Sequence, residues 1–477
     1  MIRFAAALAA SVLMAGAAQA AAKAPAKPID TGEPAFRALY KELVETNTTF
    51  SAGDCTLAAN RMAARLKAAG FADSQLTLFT PPDHPKDGGL VAVYPGKDPK
   101  AKAILLLAHI DVVEAKREDW TRDPFTLVEE GGYFYGRGSS DDKAQAAVWT
   151  DLLIRFKREG YQGRRPIKMA LTCGEEGGGQ VNGAAWLAEN RRDLIDAAFA
   201  LNEGAGGDFD ANGKRVAHNI QAGEKTSVGF RLEVTNPGGH SSRPVPDNAI
   251  YHLVRGVDAI SRYEFPVQLN DATRGYFGKM SKVVGGETGA AMTAILANPQ
   301  DKAAYATLSK DPNLHAILGT TCVATRLDAG HANNALPQRA TALINCRIFP
   351  GVPREEVRQK LIQLINDPAV SVTTPGDGRS TVEAGPPPLT PQVMGPIEKV
   401  SAEMWPGVPV VPILQAGGTD AKPLIAVGIP TYGVSGIFYD PDLGHIHGLN
   451  ERLGVQSLME GREFSYRLVK LYAEQKD

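Results

Sequence analysis

Apolar and polar residues alternate along the first half of the chain in a pattern that predicts strands followed by helices. Residues 103–108 (AILLLA) are continuously apolar, which is typical of a strand buried on both faces of a sheet. After Asp142, apolar residues recur at helical spacing and predict a helix. Strand–helix alternation of this kind indicates a largely parallel sheet covered by helices. The other predicted segments are a helical region at 33–70, strands at 167–172 and 197–201, and a helix at 181–190.

The pattern changes near Lys225. Residues 228–234 (VGFRLEV) alternate strictly, as expected of a strand in a sheet with one exposed face. We predict a helix at about 247–262, two strands flanking a turn at 330–337, and a helix at 354–365. These elements form a strand–helix–strand–strand–helix unit, which predicts a small α+β domain inserted in the larger one.

Two domains are expected because 477 residues are too many for one hydrophobic core. The predicted α/β domain, with a mostly parallel sheet covered by helices, comprises about 33–224 and 386–477. The inserted α+β domain, a lid or dimerisation domain, comprises about 225–385. Prolines at 386–388 mark the return to the first domain, where 432–438 is predicted to be another core strand.

The N-terminus is typical of a cleaved export signal. Arg3 supplies a positive charge, residues 4–18 are apolar, and residues 18–20 (AQA) form a small-x-small cleavage site. A membrane anchor is the alternative, but the apolar stretch is short and rich in alanine. We expect residues 1–20 to be removed, 21–28 to be a disordered mature N-terminus, and the protein to be exported to the periplasm or secreted. No later segment is apolar enough to cross a membrane.

Composition narrows the function only slightly. The apolar content of 43% and the charged content of 22% are ordinary for a globular protein. A formal net charge of −2 argues against nucleic-acid binding. The four cysteines show no C-x-x-C spacing, which excludes a zinc finger or a thioredoxin-like motif.

Titratable residues follow the predicted parallel strands where turn residues are expected. They are His109 and Asp111, then Glu175 and Glu176, then Glu203. Ligand sites of open α/β sheets lie at the carboxyl ends of strands, so these side chains should meet. Because they would repel one another, a dinuclear zinc site would resolve the conflict. From the residues alone the alternatives stay open: a structural histidine, solvated glutamates in a turn, and a mere helix cap at 139–143.

Eight motifs, in order along the chain, resemble the dizinc peptidase family M20. Its members include carboxypeptidases S and G, carnosinase, aminoacylase, acetylornithine deacetylase and succinyl-diaminopimelate desuccinylase. The resemblance spans nearly the whole mature chain. The motifs lie at 109–113 (HIDVV), 120–125 (WTRDPF), 135–143 (YGRGSSDDK), 175–177 (EEG), 238–244 (GGHSSRP), 334–337 (NALP), 417–420 (GGTD) and 446–451 (IHGLNE).

The resemblance implies a zinc-exopeptidase-like catalytic domain and a role for each matching residue. His109 and Glu203 would hold one zinc ion, Glu176 and His447 the second, and Asp141 would bridge both. Asp111 would orient His109, Glu175 would be the general base, and His240 would stabilise the oxyanion. Arg347 would clamp a substrate carboxylate, with Asn334, Gly418 and Thr419 also binding substrate.

The chain departs from the family pattern at several positions. Ala144 replaces a common glycine, Asn202 precedes Glu203 where relatives often have Asp or Gly, and Lys422 stands where some relatives have Arg. His445 is a rival ligand to His447, although the following residues favour His447. The resemblance also implies a cis peptide between Asp141 and Asp142.

The expected function is hydrolysis of a peptide or N-acyl amide bond next to a free carboxylate, with two Zn²⁺ ions. One alternative is a small-molecule deacylase of amino-acid metabolism, which export makes less favoured. Another is an inactive binding protein, but no proposed ligand or base is missing. As some relatives do, the chain is expected to form a homodimer through the lid, although the stretch at about 270–319 could alter this.

The cysteines allow a further prediction. Cys322 and Cys346 are equidistant from residue 334, the centre of the turn between two predicted strands. They are therefore candidate cross-strand partners for a disulfide, with two buried thiols as the alternative. Cys173, beside the two glutamates, is predicted to be a buried free thiol.

Overall fold

A computed structural model describes residues 32–375 and 385–476. The predicted export signal at 1–20 and the mature N-terminus at 21–28 lie outside these residues. No helix within the described ranges combines the length and the apolar character needed to span a bilayer.

The described residues form nineteen strands and fourteen α-helices. The strands are β1 (Leu76–Phe79), β2 (Gly89–Tyr94), β3 (Ile104–His109), β4 (Val128–Glu130), β5 (Tyr133–Tyr135), β6 (Ile167–Thr172), β7 (Phe199–Asn202), β8 (Gly207–Phe209), β9 (Arg215–Glu224), β10 (Thr226–Thr235), β11 (Gly239–His240), β12 (Thr321–Ala329), β13 (Ala335–Leu336), β14 (Arg339–Ile348), β15 (Ser371–Thr373), β16 (Val410–Gln415), β17 (Thr431–Gly433), β18 (Phe438–Tyr439) and β19 (Arg452–Gly454). The helices are α1 (Glu33–Val44), α2 (Cys55–Ala68), α3 (Lys143–Glu159), α4 (Gly183–Asn190), α5 (Arg192–Ile195), α6 (Ala249–Ser261), α7 (Asp271–Val284), α8 (Gly286–Ala297), α9 (Lys302–Leu308), α10 (Pro312–Ile317), α11 (Arg354–Ile365), α12 (Pro391–Met404), α13 (Ala421–Ala426) and α14 (Val455–Glu474).

The main sheet has the strand order β1-β2-β6-β3-β7-β17-β9-β8-β18, and β16 also pairs with β9. Its centre, β6-β3-β7-β17, is parallel, which confirms the predicted mostly parallel sheet. Every residue of β3 is buried. Its alternate side chains enter two different hydrophobic clusters, one including Leu106 and residues of α3, the other including Leu107 and residues of α4. Helices on both faces explain why the strand is apolar throughout.

A second, antiparallel sheet has the order β12-β14-β10-β15. Together with α6 and α11 it encloses a separate hydrophobic cluster, to which β10 contributes its alternate residues Val228, Phe230, Leu232 and Val234. The strand–helix–strand–strand–helix elements predicted from the sequence are present as β10, α6, β12, β14 and α11, with α7–α10 inserted between α6 and β12. We refer to this sheet, together with α6, α11 and the short β11–β13 pair, as the lid.

Helices α7–α10 occupy the stretch at 270–319, for which the sequence analysis predicted no elements. Phe277 of α7 and Met292 of α8 share a hydrophobic cluster with Ala217 of β9 and Val411 of β16. The Lys279 ammonium donates a hydrogen bond to the Val410 carbonyl (2.7 Å). These helices, although inserted within the lid sequence, therefore pack on the main sheet.

The structure decides between the two alternatives for one cysteine pair and corrects two predictions. Cys322 and Cys346 are directly paired in the β12–β14 register and form a disulfide, which is one of the two alternatives that the sequence left open. Cys173 is not a free thiol, because it forms a disulfide with Cys55. Cys55 begins α2, and Cys173 directly follows β6. The two cysteines meet because α2 packs on β2, which is the neighbour of β6 in the sheet. Residues 432–438 do not form one strand, because 432–433 end β17, 438 begins β18, and 434–437 connect the two.

Candidate metal centre

His109 ends the central strand β3, and its buried imidazole faces two carboxylates. The Nε2 atom lies 3.1 Å from Asp141 Oδ1 and 3.8 Å from Glu203 Oε2. Glu203 directly follows β7, the parallel neighbour of β3, so the ends of two strands bring these side chains together. The three residues could hold a metal ion.

A second group of ligands shares Asp141. The Nε2 atom of His447 lies 3.2 Å from Asp141 Oδ2 and 3.0 Å from Glu176 Oε1. Asp141, Glu176 and His447 could therefore hold a second ion. Each oxygen of Asp141 faces a different imidazole, which is the arrangement required of a carboxylate that bridges two metals. The structure thus brings together all five ligands predicted from the sequence.

Glu451 shapes the turn that presents Asp141. Its buried carboxylate accepts hydrogen bonds from the backbone N–H groups of Gly138 (3.0 Å), Ser140 (2.7 Å) and Asp141 (3.1 Å). The Arg137 guanidinium also donates to it, at 2.7 Å. The Asp141–Asp142 peptide is cis, as the resemblance implied. Glu451 belongs to the motif at 446–451, but the motif alone indicates no role for it.

The loop that carries His447 has an unusual backbone. Leu443, His445, His447 and Asn450 all have positive φ angles (53°, 58°, 61° and 55°). Non-glycine residues adopt this conformation rarely, and such strain clusters at functional sites. His445 turns away from the ligands and contacts the Leu449 carbonyl (3.2 Å) and the Asp442 carboxylate (3.2 Å). Of the two histidines, His447 is therefore the one that lies against Asp141 and Glu176.

Asp111 connects His109 to the glutamates. The Nδ1 atom of His109 lies 3.1 Å from the Asp111 carbonyl oxygen and 3.5 Å from its carboxylate. A proton on Nδ1 leaves the lone pair of Nε2 directed at Asp141 and Glu203, which suits a metal ligand. The Asp111 carboxylate also accepts hydrogen bonds from the backbone N–H groups of Glu175 (3.3 Å) and Glu176 (3.0 Å).

The electrostatics of the cluster favour a cation. Burial raises the pKa of Glu175 to about 8, and it raises the pKa of Glu203 well above its ordinary value. Hydrogen bonds to Asp141 and Glu176 raise the pKa of His447 to about 10. Without metal, Glu175, Glu203 and His447 therefore keep their protons to higher pH than the same residues would in water. Two divalent cations would replace these protons, because a nearby positive charge favours carboxylate and neutral imidazole.

Arg347, on β14 of the lid, reaches the loop that follows β16. Its Nη1 atom lies 3.5 Å from the Ala416 carbonyl oxygen, next to Gly417 and Gly418. In the same loop Thr419 donates a hydrogen bond to the Glu224 carboxylate (2.9 Å) and accepts one from the Asn202 amide (3.2 Å). Asn202 directly precedes the proposed ligand Glu203. The loop that carries Thr419 and contacts Arg347 therefore lies next to this ligand.

His240 and Asn334 lie together on the lid. His240 pairs with Ala335 between β11 and β13, and the Asn334 carbonyl accepts a hydrogen bond from the Ser241 N–H (2.9 Å). The His240 side chain is exposed, and its Nδ1 accepts from the Ser242 hydroxyl (2.8 Å). Within the described residues, the hydrogen-bond partner of the His240 side chain is Ser242. The structure shows no hydrogen bond or ion pair between these two described residues and the five proposed metal ligands.

Comparisons with known proteins agree with this geometry. Residues 105–471 match the sequence pattern of Peptidase family M20/M25/M40. The human N-fatty-acyl-amino acid synthase/hydrolase PM20D1 is 28% identical over 384 residues, covering 79% of this chain and 75% of the relative. Among solved structures, the M20 family metallo-carboxypeptidase Sso-CP2 of Sulfolobus solfataricus superposes with a TM-score of 0.67 at 18% identity, over 92% of this chain and 99% of the other. The dinuclear metal-binding M20 peptidase YXEP of Bacillus subtilis has a TM-score of 0.58 at 12% identity, over 92% and 98% of the two chains.

The two overlapping ligand sets at the carboxyl edge of the parallel sheet, together with these comparisons, place the chain among the metal-dependent hydrolases of amide bonds. Within this class the match over residues 105–471 is decisive. The chain belongs to Peptidase family M20/M25/M40.

Proposed function

We propose that this protein is a two-zinc hydrolase that cleaves an amide bond next to a free carboxylate. Its substrates are peptides, as for a carboxypeptidase or dipeptidase, or N-acyl amino acids. The observation that carries the proposal is the sharing of Asp141 by two ligand sets, with Glu175 next to the ligand Glu176. Relatives described as an N-fatty-acyl-amino acid hydrolase and a metallo-carboxypeptidase support both substrate classes.

The donor atoms fit zinc. Each proposed ion receives one imidazole nitrogen, one oxygen of Asp141 and one further carboxylate, from Glu203 or Glu176. Mixed nitrogen and carboxylate ligands suit zinc, and three protein ligands leave a position for water or substrate, as in catalytic zinc sites.

The mechanism assigns one task to each residue around the ions. Two bound zinc ions would lower the pKa of a shared water and polarise the substrate carbonyl. Glu175 accepts the proton of the attacking water and returns it to the leaving nitrogen. Asp111 holds Glu175 in place through its backbone N–H. His240 donates to the oxyanion that develops on the carbonyl.

The substrate carboxylate binds Arg347. A planar guanidinium can bind a carboxylate with two parallel hydrogen bonds. Within the described ranges, the Arg347 guanidinium forms no ion pair with an acidic side chain, and it lies 3.5 Å from the Ala416 carbonyl oxygen. The buried Lys225 lies near Arg347, and burial and then the charge of Arg347 lower the pKa of Lys225 to about 7, so Arg347 is the permanent positive charge of this region. We assign Gly418, Thr419 and Asn334 to contacts with the rest of the substrate.

The active form that we propose is a homodimer joined through the lid. Strand β12 is an edge strand of the lid sheet, and its Val323 and Leu327 side chains are 60% and 59% exposed. An edge strand with exposed apolar residues is a template for pairing with another chain. Such a dimer would give the exposed His240 a route to the metal centre of its partner.

We also propose that the protein is exported, to the periplasm or outside the cell. The apolar N-terminal stretch and the AQA site at 18–20 support a cleaved signal. All four cysteines of the chain are paired, which favours an oxidising compartment. Sequencing the N-terminus of the mature protein tests this proposal. Residue 21 is expected first, and retention of Met1 in the exported protein would contradict signal cleavage.

Metal analysis and a substrate panel test the proposed function together. Purified protein should contain two zinc ions per chain and should hydrolyse dipeptides or N-acyl amino acids when both are assayed side by side. Faster hydrolysis of N-acyl amino acids would assign the protein to the acyl-amino-acid hydrolases, and faster dipeptide hydrolysis to the peptidases. Protein that binds two zinc ions but cleaves neither class would contradict the proposal and favour a binding protein.

A further inference from the structure

The loop that carries Glu175 and Glu176 has little backbone rigidity of its own. We call residues 173–182 the glutamate loop. Its glycines at 174, 177, 178 and 179 all have positive φ angles, of 82°, 81°, 69° and 117°. Glycine loses more conformational freedom on folding than any other residue, so the position of Glu175 must be maintained by contacts from outside the loop.

A single segment that leads into α2 and includes its first residue supplies such contacts to each of three loops of the metal centre. We call residues 46–55 the brace. The Lys143 ammonium, two residues from Asp141, donates a hydrogen bond to the Thr46 carbonyl (2.7 Å). The Val112 N–H, beside Asp111, donates to the Thr48 carbonyl (3.4 Å). The brace therefore contacts the Asp141 turn and the segment that follows His109, in addition to the glutamate loop.

The contacts between the brace and the glutamate loop are the most extensive. Cys55, at the end of the brace, is bonded to Cys173, two residues before Glu175. The Gln180 amide lies 3.5 Å from the Thr48 carbonyl and 3.3 Å from the Cys173 sulfur. The ring of Phe50 covers Gly178 and Gly179 so closely that a Cβ on Gly179 would lie 2.8 Å from it. One covalent bond thus anchors the start of the loop, and noncovalent contacts cover the remainder.

We propose that the Cys55–Cys173 disulfide is a positioning element of the active site, which holds the general base Glu175 against the brace. The inference rests on the role proposed for Glu175. A base displaced by about 1 Å can lower the rate about 100-fold, because proton transfer requires hydrogen-bond geometry. Neither sulfur touches substrate or metal in this proposal. Opening the bond should lower kcat, leave KM for the substrate nearly unchanged, and leave both metal ions bound.

The chain provides a matched control, because its other disulfide lies in the lid. The double variant Cys55→Ser/Cys173→Ser should lose about tenfold or more in kcat at saturating zinc, with KM within about twofold. The double variant Cys322→Ser/Cys346→Ser should keep kcat within about twofold of the wild type. Loss of thermal stability in both variants is expected and decides nothing, since either disulfide stabilises the fold. Equal kcat values in the two variants would overturn the inference, as would loss of zinc from the first variant at saturating zinc.

Reduction of the folded protein provides a second measurement that does not depend on refolding of a variant. In the Cys322→Ser/Cys346→Ser protein the remaining disulfide is Cys55–Cys173. A phosphine reductant transfers two electrons to this bond and becomes a phosphine oxide with oxygen from water, while the two sulfurs take up two protons. With zinc in excess, kcat should fall as the two thiols appear and should recover on reoxidation. Full activity of the reduced protein would overturn the inference, whereas failure of the proposed function would appear as absence of hydrolysis in the oxidised wild type.

Discussion

Asp141 and His447 are in direct contact, with the Nε2 atom of His447 3.2 Å from Asp141 Oδ2. The other oxygen lies 3.1 Å from Nε2 of His109. Burial opposes ionisation of Asp141, but hydrogen bonds from the two histidines outweigh it and lower its pKa. A carboxylate with a lowered pKa between two imidazoles is well suited to bridge two cations.

This geometry predicts different metal contents for two variants. Asp141→Ala removes a ligand from both proposed ions, so it should abolish stoichiometric binding of both. His447→Ala removes a ligand from one ion and should leave one ion bound tightly. Metal content after dialysis, measured by elemental analysis, distinguishes the two results. A variant at His445, which is the rival histidine, should keep both ions. Retention of two ions by Asp141→Ala would contradict a bridging role.

Glu175→Gln should remove the general base without removing metal. The amide retains the shape of the side chain but cannot take a proton from water, so kcat should fall by about 10²–10⁴-fold. Zinc content and the circular dichroism spectrum should remain those of the wild type. The neighbouring variant Glu176→Gln serves as the comparison, because it should lose a metal ion. Activity within a few-fold of the wild type would assign the base to another residue.

The buried Glu175 also predicts how the metal-free protein responds to pH. Burial raises its pKa from 4.5 to about 8, so the folded protein holds a proton that the unfolded chain releases. The contribution of Glu175 to stability is therefore present below about pH 4.5 and is lost as the pH rises toward 8. Relative to metal-free Glu175→Gln, the metal-free wild type should become less stable between pH 5 and 8, by at least the roughly 1.4 kcal/mol that corresponds to one pKa unit. Denaturant unfolding of both proteins at several pH values measures this difference, and a constant difference would contradict it.

The strand-end pattern made much of the fold and the metal centre predictable. His109 and Glu203 follow apolar strands that are buried on both faces, and parallel strands bring their carboxyl ends to one edge. His447 was different, because it lies on an irregular loop and only the resemblance to the family pointed to it. Motif spacing did not reveal the role of Glu451, since its contacts depend on the folded turn at 138–141.

Other features could not be predicted because they depend on which elements become neighbours. The sequence suggested Cys322 and Cys346 as a candidate pair, because they lie on adjacent strands that are close in sequence. Cys55 and Cys173 are separated by 118 residues and meet only because α2 packs beside the central strands. The same holds for α7–α10. Their apolar residues pack on strands β9 and β16, which come from distant parts of the chain.

The exposed position of His240 predicts complementation between two inactive variants. His240→Ala lacks the oxyanion donor and Glu175→Gln lacks the base, so each homodimer should be impaired. If His240 acts on the partner's metal centre, a hybrid dimer contains one site with both Glu175 and His240 intact. Mixing the variants under conditions of subunit exchange should then restore up to half of the wild-type activity to the hybrid. Mixing each variant with itself is the control. Absence of recovery in a proven hybrid would place His240 in its own site.

Arg347 predicts that the substrate needs a free carboxylate. Replacing the C-terminal carboxylate of a substrate by an amide removes a charged hydrogen bond worth roughly 1.5–3 kcal/mol. The value of kcat/KM should therefore fall about tenfold or more, whereas acylation of the substrate's N-terminus should matter far less. Binding of the carboxylate to a lid residue would also draw the lid toward the metal centre, so part of the loss should appear in kcat.

The variant Arg347→Ala isolates this interaction from other effects of the amide. It should abolish the preference for acid over amide while leaving the zinc content unchanged. Arg339→Ala is a matched control. Arg339 lies at the start of β14, at the end of the strand away from Arg347, and it pairs with Glu233 (3.7 Å). This variant should retain the wild-type preference. If Arg347→Ala retains it too, the carboxylate must bind elsewhere, and Lys422, whose ammonium lies beside Gly418, is the next residue to test. Cleavage of C-terminal amides together with refusal of N-acylated substrates would instead indicate an aminopeptidase, in which the free amino group of the substrate is the group that is recognised.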